Sequence, residues 1–317
     1  MQAFEYASPS SVREAVGLLS SSWGETDVLA GGTDLLSLLK ERIHTPKRVV
    51  SLKNVSGLNG VSATQIGATA TIDALLKGKG TPAALVQAAE GITSPQMRAM
   101  GTVGGELLQR PRCWYFRNGY GLLAKDSSGK ALVPGGENQY HAILGNKGPA
   151  YFVSASSLAP ALIALDATVT VVGPDGEEEI SVEKLFRTPA GDNERENALK
   201  PNQILTGIKI PGGAVKSATY EVRQRQLMDW PLVGASVALK MNGGTVESAR
   251  VVLGHVAPTP WRSPEAERAL AGKSVSEETA MAAAKAAVAA ATPLSRNKHK
   301  VQLASVAVKR AILRAAG

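Results

Sequence analysis

The stretch at 29–36, which reads Leu-Ala-Gly-Gly-Thr-Asp-Leu-Leu, constrains the fold more than any other part of the chain. The apolar run that ends at Leu29 predicts a buried strand, and residues 35–40 predict the first turns of a helix. Two adjacent glycines between them allow a tight turn and the close approach of another group to the backbone. The stretch therefore predicts a strand, a turn and a helix in succession.

The same turn is a candidate anion site. Consecutive N–H groups at the start of a helix are unpaired, and phosphate is their usual ligand. Asp34 would repel a phosphate, so its carboxylate is interpreted either as the N-cap of the helix or as an acceptor for a ribose hydroxyl. A well-capped turn without any ligand is the alternative, because the stretch matches neither common phosphate-loop motif.

A second glycine pair favours a ligand. Residues 101–108 read Gly-Thr-Val-Gly-Gly-Glu-Leu-Leu, so a threonine again stands beside paired glycines. Two loops of this kind suit a long ligand with a diphosphate, gripped from two sides.

With residues 94–98 (Ser-Pro-Gln-Met-Arg), the two glycine pairs resemble those of the FAD-binding subunits of molybdenum hydroxylases, the family of the xanthine dehydrogenase and carbon monoxide dehydrogenase medium subunits. The likeness covers nearly the whole chain and continues through 157–162, 164–167, 223–225, 229–233, 253–258 and 260–262. Residues 108–116 and 141–145 are similar in particular to the branch that contains the FAD subunit of periplasmic aldehyde oxidoreductase.

The resemblance implies an α+β fold of the PCMH type, with two α/β subdomains that bind FAD between them. It also implies a C-terminal domain like that of carbon monoxide dehydrogenase flavoprotein, a three-stranded sheet with a helical bundle. The residues expected to line FAD are Leu29, Ala30, Gly31, Gly32, Thr33, Asp34, Leu35, Thr102, Gly104, Gly105, Glu106 and Leu108. No catalytic side chain and no metal ligand are expected, because the chemistry of such a subunit belongs to its flavin.

The implied partners are a 2Fe-2S subunit and a molybdopterin-binding large subunit. Electrons would pass through the iron–sulfur clusters to the flavin, and then to NAD, oxygen or a carrier protein. Two other functions stay open: a stand-alone flavin oxidoreductase, and a flavin-free scaffold subunit. The first would need its own acid–base pair, and the sequence contains no recognisable one.

Turn signals divide the chain into three units at 1–55, 56–212 and 214–317, with Pro-Gly-Gly at 211–213 as a boundary. Hairpins are predicted at 173–176 and 242–244, where Gly stands between β-prone runs. A strand is predicted at 150–153, and residues 109–150 form a long loop.

This loop is rich in aromatic residues, which argues against disorder. In the relatives that it resembles, four cysteines bind a 4Fe-4S cluster here, whereas this chain has only Cys113. One thiolate is too few for such a cluster. The hypothesis is that aromatic packing stabilises the loop instead, through Trp114, Tyr115, Phe116, Tyr120 and Tyr140.

Three positions depart from the family pattern. Glu106 stands where asparagine is usual, Ser157 where many relatives carry an acid, and Glu221 where relatives carry a basic residue. The departures at Glu106 and Ser157 are what keep the flavin-free scaffold open as an alternative.

The formal net charge is +8, but the basic residues are scattered, so nucleic acid is not an expected partner. The charge is better explained by docking onto acidic partner subunits. The sequence has no apolar run of membrane-spanning length and no recognisable signal peptide. The cytoplasm is the default location, and co-export to the periplasm with a partner is the alternative.

Overall fold

The computed structural model describes residues 1–92, 94–225 and 229–317. Its first part is a small α/β unit built on three parallel strands in the order β1-β3-β2. The apolar side chains of β3 and α1 form its core, together with Leu52, Val55 and Leu58. The elements are β1 (Glu5–Ala7), α1 (Val12–Gly17), β2 (Thr26–Leu29), α2 (Leu35–Lys40) and β3 (Arg48–Ser51).

The second part combines a four-stranded antiparallel sheet, in the order β4-β7-β5-β6, with short helices. Every residue of α8 is buried, so this helix forms the centre of the core. The elements are β4 (Gln65–Gly67), α3 (Ile72–Lys77), α4 (Ala83–Glu90), α5 (Pro95–Met100), α6 (Val103–Leu107), α7 (Trp114–Arg117), α8 (Leu158–Ala164), β5 (Thr168–Gly173), β6 (Gly176–Ser181), α9 (Val182–Leu185) and β7 (Ile204–Lys209).

The third part is an antiparallel sheet in the order β11-β10-β9-β8. Helices α10, α11 and α12 pack with this sheet, and it also contacts α4 and α8 of the second part. The three predicted strands form, and a two-residue strand adds to the β10 edge. The elements are β8 (Lys216–Val222), β9 (Val233–Asn242), β10 (Thr245–Gly254), β11 (Trp261–Arg262), α10 (Pro264–Leu270), α11 (Glu277–Val288) and α12 (His299–Ala316).

Both predicted hairpins are confirmed. Gly243 and Gly244 have φ angles of +54° and +89°, which is the backbone conformation that a two-residue turn between β9 and β10 requires. The division into units at 1–55, 56–212 and 214–317 stays a prediction.

The strand predicted at 150–153 is wrong. Ala150 and Phe152 are buried, and the residues that alternate with them are less so, which mimics the pattern of a strand. The backbone here instead bonds to two irregular segments: Ala142 N–H donates to the Tyr151 carbonyl, and Ser154 N–H donates to the Ala257 carbonyl. Single bonds to separate segments do not make a ladder.

The second glycine pair also differs from its prediction. Gly104 and Gly105 lie in the short helix α6, whose N-cap is Thr102, rather than in an open loop. Among the described helices, none is both long and apolar enough to cross a membrane.

Candidate functional site

A cleft, referred to below as the main cleft, lies between the first and second parts of the fold. Its walls are the turn between β2 and α2, the helix α6, and the segment 195–205. Ten of the residues singled out in the sequence line it: Ala30, Gly31, Gly32, Thr33, Asp34, Leu35, Thr102, Gly104, Gly105 and Leu108. Leu29 and Glu106 are not among the lining residues.

The turn between β2 and α2 leaves backbone donors free. Within the described ranges, the N–H groups of Gly31, Gly32, Thr33 and Asp34 donate to no other backbone group. Gly32 has a φ of +75°, a conformation that costs glycine little. Four consecutive free amides in a turn form a concave anion site.

Gly31 is required by a backbone contact. A Cβ on Gly31 would lie 1.9 Å from the Met100 carbonyl oxygen, so the turn rests directly on the end of α5. A Cβ on Gly104 would likewise lie 2.9 Å from Ala68. These two glycines therefore bring segments of the chain together, whereas a Cβ on Gly105 would meet only the Thr102 hydroxyl oxygen, at 2.8 Å.

The amides of α6 are already used. Val103 N–H donates to the Ala70 carbonyl at 2.9 Å and Gly104 N–H to the Ala68 carbonyl at 2.8 Å. Gly105 N–H donates to Thr102 Oγ1 at 3.1 Å. The second glycine pair thus offers the cleft a surface without side chains, and the free amides belong to the first pair.

Asp34 occupies the N-cap position of α2, but its side chain makes no capping hydrogen bond. Its carboxylate accepts the backbone N–H of Arg110 at 2.8 Å and is paired with Arg117 at 2.8 Å and Arg112 at 3.1 Å. The capping prediction is therefore wrong. The reason is that three donors from the segment 110–117 reach the carboxylate, which fastens that segment to the turn.

A charged network that the sequence did not indicate lies in the same cleft. Arg110 donates to His44 Nε2 at 3.1 Å, and His44 Nδ1 lies 3.0 Å from Asp27. A guanidinium only donates, so Nε2 is the acceptor and the proton of the neutral ring is on Nδ1, directed at Asp27. Arg110 also pairs with Glu196 at 2.5 Å. These residues are far apart in sequence and have no motif spacing that could have marked them.

A side-chain contact bridges the two walls at the rim of the main cleft. The Arg195 guanidinium lies 4.3 Å from the centre of the Trp23 ring, a cation–π arrangement. Asn197, Lys200 and Gln203 follow Arg195 along the same wall. This wall was not predicted, because it belongs to an irregular polar segment.

A second cavity adjoins the main cleft at α6. The two share Thr33, Asp34, Thr102, Gly105 and Gln109. The far wall of the second cavity comes from the C-terminal part, where the Arg112 guanidinium lies 4.5 Å from the Trp230 ring centre. The cleft and the cavity are together referred to below as the trough, and their lining extends from Trp23 to Trp230.

Glu106 lies in the wall of the second cavity and holds the start of α8. Its carboxylate accepts from Ser156 Oγ and from Ser157 N–H, each at 2.6 Å, and more weakly from Leu158 N–H at 3.4 Å. Burial raises the pKa of Glu106 to about 7, although these hydrogen bonds act in the opposite direction.

Glu221 lies behind the same wall. It is paired with Arg223, and His255 Nε2 is 3.7 Å from its carboxylate. Burial alone would raise the pKa of Glu221, but the hydrogen bond from His255 and the charge of Arg223 outweigh burial and lower it.

The segment 109–150 is ordered by packing. Trp114 meets Tyr140 and Tyr115 edge to face, with ring centres 5.5 Å and 6.4 Å apart. Cys113 is half-buried beside this cluster, with its sulfur 3.2 Å from His141 Nε2. Burial raises the pKa of the Cys113 thiol and lowers that of His141 to about 4, so both groups are neutral near pH 7.

A buried lysine joins this segment to α12. Lys300 Nζ donates to the carbonyls of Tyr140, His141 and His255 at 3.0, 3.1 and 2.7 Å. Burial lowers the pKa of Lys300 to about 7.

Comparison with known protein families accounts for almost the entire chain. Residues 2–213 match the family described as the FAD binding domain in molybdopterin dehydrogenase, and residues 218–315 match the CO dehydrogenase flavoprotein C-terminal domain. The chain belongs to the FAD-binding subunits of the molybdopterin dehydrogenases. The members of this family are oxidoreductase subunits, which agrees with the resemblance read from the sequence.

Two relatives show the degree of sequence identity between this chain and other members of the family. The chain is 30% identical to the aldehyde oxidoreductase FAD-binding subunit PaoB of Escherichia coli, over 96% of this chain and 95% of the relative. It is 28% identical to the carbon monoxide dehydrogenase medium chain of Hydrogenophaga pseudoflava, over 98% and 96%. A solved structure of carbon monoxide dehydrogenase from that organism matches with a TM-score of 0.76, at 28% identity over 98% of this chain and 96% of that chain.

Proposed function

We propose that this molybdopterin dehydrogenase subunit binds FAD in the trough and passes electrons from iron–sulfur clusters to an external acceptor. The observation that carries the proposal is the run of four amides from Gly31 to Asp34, which line the main cleft and, among the described residues, donate to no other backbone group. A diphosphate is the group that such a run of donors fits best.

The trough offers each part of FAD a distinct surface. The amides of the first glycine turn would hold the diphosphate, and the bare face of Gly105 with the Thr102 hydroxyl would form the opposite wall. Arg195 and Lys200 would add positive charge at the rim. The bound flavin would supply the electron-transfer chemistry, and the protein positions it and sets its electrostatic surroundings.

The proposed partners are a 2Fe-2S subunit and a molybdopterin-binding large subunit. The names of the relatives as medium chains and FAD-binding subunits support this arrangement. The acceptor is NAD, oxygen or a carrier protein. The net charge of +8 suits docking onto acidic subunits. We place the complex in the cytoplasm, or in the periplasm through co-export with a partner.

The segment 109–150 is proposed to hold no 4Fe-4S cluster. The single cysteine of the chain supports this, since a cluster of that kind needs four thiolates. Cys113 is hydrogen-bonded to His141 within an aromatic cluster, so its thiol already has a structural environment. Iron assayed in the isolated chain would be expected at background level, and stoichiometric iron would refute the proposal.

The test of FAD binding is the visible absorption spectrum of the purified chain and of the supernatant after acid precipitation. Two flavin bands that release FAD are expected. Gly105→Val should lose flavin because its side chain projects into the trough, whereas Gly60→Val should keep it, because a Cβ at Gly60 meets nothing within 4 Å. A colourless protein that takes up no added FAD would favour the scaffold function.

A further inference from the structure

Two acidic side chains from different parts of the fold meet behind the second cavity. Glu106 comes from α6, and Glu221 comes from β8 of the C-terminal sheet. The charge of Glu221 acts on Glu106 and raises its pKa further. The Glu221 side chain is 8% exposed and Glu106 is half-buried in the cavity wall, so for both acids burial makes a charge expensive unless it is paired.

Ser157 and His255 connect the two acids. Ser157 donates its backbone N–H to Glu106 at 2.6 Å, and its hydroxyl oxygen lies 3.4 Å from His255 Nε2. The same nitrogen is 3.7 Å from the Glu221 carboxylate. The four residues thus form one buried polar network, with Glu106 at the end that reaches the cavity.

The cations around this network are already occupied. Arg223 is paired with Glu221, and Arg112 is paired with Asp34 at 3.1 Å. In the part of the chain that the structure describes, the groups that bond to Glu106 are neutral: the Ser156 hydroxyl, the amides of Ser157 and Leu158, and the Gln109 side-chain amide. Glu106 therefore lacks the ion pair that keeps Glu221 charged.

We propose that Glu106 is a proton-storing group of the trough, which binds one proton when a redox group in the second cavity gains negative charge. This inference rests on the proposed function, because it takes the redox group to be FAD. It assigns a role to the residue that replaces asparagine in this chain.

The step counts one proton beyond the one that a flavin itself takes up. A reductant, the iron–sulfur partner or dithionite, would supply two electrons, and a buffer acid would supply the proton that forms an N–H bond on the reduced flavin ring. One further proton from a buffer acid forms an O–H bond on the Glu106 carboxylate, and the conjugate bases of the buffer stay in solution. Reoxidation returns the two electrons to an acceptor and both protons to the buffer.

The experiment is a redox titration of the FAD-loaded chain by dye equilibration, repeated from about pH 6 to pH 9. Because burial places the pKa of Glu106 at about 7, uptake on reduction is expected above that pH. One extra proton per two electrons adds about 29.6 mV per pH unit to the slope of the midpoint potential, since that is the value of a tenfold change for a two-electron couple. Glu106→Gln should lack this added slope, and the matched control Glu278→Gln on α11 should keep it.

A second measurement does not depend on any variant. Reduction of the wild-type chain in a weakly buffered solution with a pH indicator counts the protons that are taken up, and the carboxyl signal of Glu106 in carbon-13 spectra shows where one of them binds. An unshifted Glu106 signal on reduction, or equal slopes for wild type and Glu106→Gln at equal flavin content, overturns the inference. If the absorption spectrum of the wild-type chain shows no bound FAD, the proposed function is refuted, and this inference with it.

Discussion

At the scale of single residues, glycines that look alike in sequence have different structural roles. Gly31 rests on the Met100 carbonyl, and Gly105 faces the trough. The first is needed by the fold and the second by the space for a ligand. A Cβ is therefore expected to lower mainly the stability of the fold at Gly31 and mainly the affinity for a ligand at Gly105.

Gly31→Ala is expected to destabilise the chain by about 1–3 kcal/mol or more, because the Cβ collides with backbone that cannot move aside. Gly105→Ala should destabilise the chain less, because its Cβ meets only the Thr102 hydroxyl oxygen, and it should weaken FAD binding. Urea unfolding and FAD titration of both variants separate the two effects. The interpretation fails if Gly31→Ala unfolds like wild type.

Asp34 is expected to matter for the order of the segment 110–117. Asp34→Asn removes the charge that pairs with Arg112 and Arg117, and should cost about 1–3 kcal/mol because two partly buried guanidinium groups lose their charged partner. Limited proteolysis should cut the variant within this segment. Asp73→Asn is the control: its carboxylate pairs with Lys77 on the surface, so the loss should be under about 1 kcal/mol.

Glu106 should also make the free energy of unfolding depend on pH. Its pKa is near 4.5 in the unfolded chain and about 7 in the folded protein. The folded state therefore holds more protons between these pH values, and the free energy of unfolding falls as pH rises from about 4.5 to 7. Thermal unfolding over this window should show a smaller fall for Glu106→Gln than for wild type. Parallel pH profiles would contradict the assigned pKa.

At the scale of elements, the segment 109–150 is ordered by hydrogen bonds to other parts of the fold. Asp34 fixes its beginning, and Lys300 of α12 holds the part near its end through two carbonyls, those of Tyr140 and His141. Aromatic rings fill the space between these anchors. A long segment without sheet or extended helix can thus be ordered by contacts with two distant parts of the fold.

Lys300 provides the test of this anchoring. Its pKa is about 7 in the folded protein and near 10.5 when unfolded, so the unfolded chain holds more protons between these values. The free energy of unfolding should rise with pH across that window. Lys300→Met should flatten this rise, and Lys285→Met on the exposed side of α11 should not. The comparison requires chemical denaturation at several pH values between about 7 and 10.

At the scale of the whole molecule, the trough is where all three parts of the fold meet. The first and second parts form the main cleft, and Trp230 and Arg223 of the C-terminal part complete the second cavity. A ligand along the whole trough would touch each of them. Its binding should therefore stabilise the chain as one unit.

FAD in 100-fold excess over its dissociation constant is expected to raise the free energy of unfolding by about 2.7 kcal/mol. Arg195→Ala should reduce this gain at a fixed FAD concentration, because the closure of the rim over Trp23 is lost. Calorimetric scans with and without FAD measure both quantities. Stabilisation of wild type and variant by equal amounts would show that the rim does not contribute.

Periodicity and turn residues were enough to predict most elements. The strand before Gly31, the Asp-Gly and Gly-Gly hairpins and the C-terminal helix all form where they were expected, although the strand is half-buried rather than buried. Such features depend on neighbours in sequence. The strand predicted at 150–153 failed because a strand also needs a ladder partner, which local sequence does not reveal.

The candidate site was only partly predictable for the same reason. The glycine pairs could be recognised, but the direction of a side chain depends on distant charges. Asp34 turns to arginines of the segment 110–117, and Glu106 turns to the start of α8. Arg195 and His44 reach the cleft from segments without any motif.

At the rim of the main cleft, the two walls are connected only by side chains, Arg195 and Trp23. At its floor, the contact is between backbone atoms of Gly31 and Met100. The rim can therefore open by a local fluctuation that leaves the floor intact. A cofactor held in this way can be loaded into a chain that has already folded. Its residence time should follow the opening rate of the rim, so Arg195→Ala should hasten the exchange of labelled FAD more than it changes the rate of global unfolding.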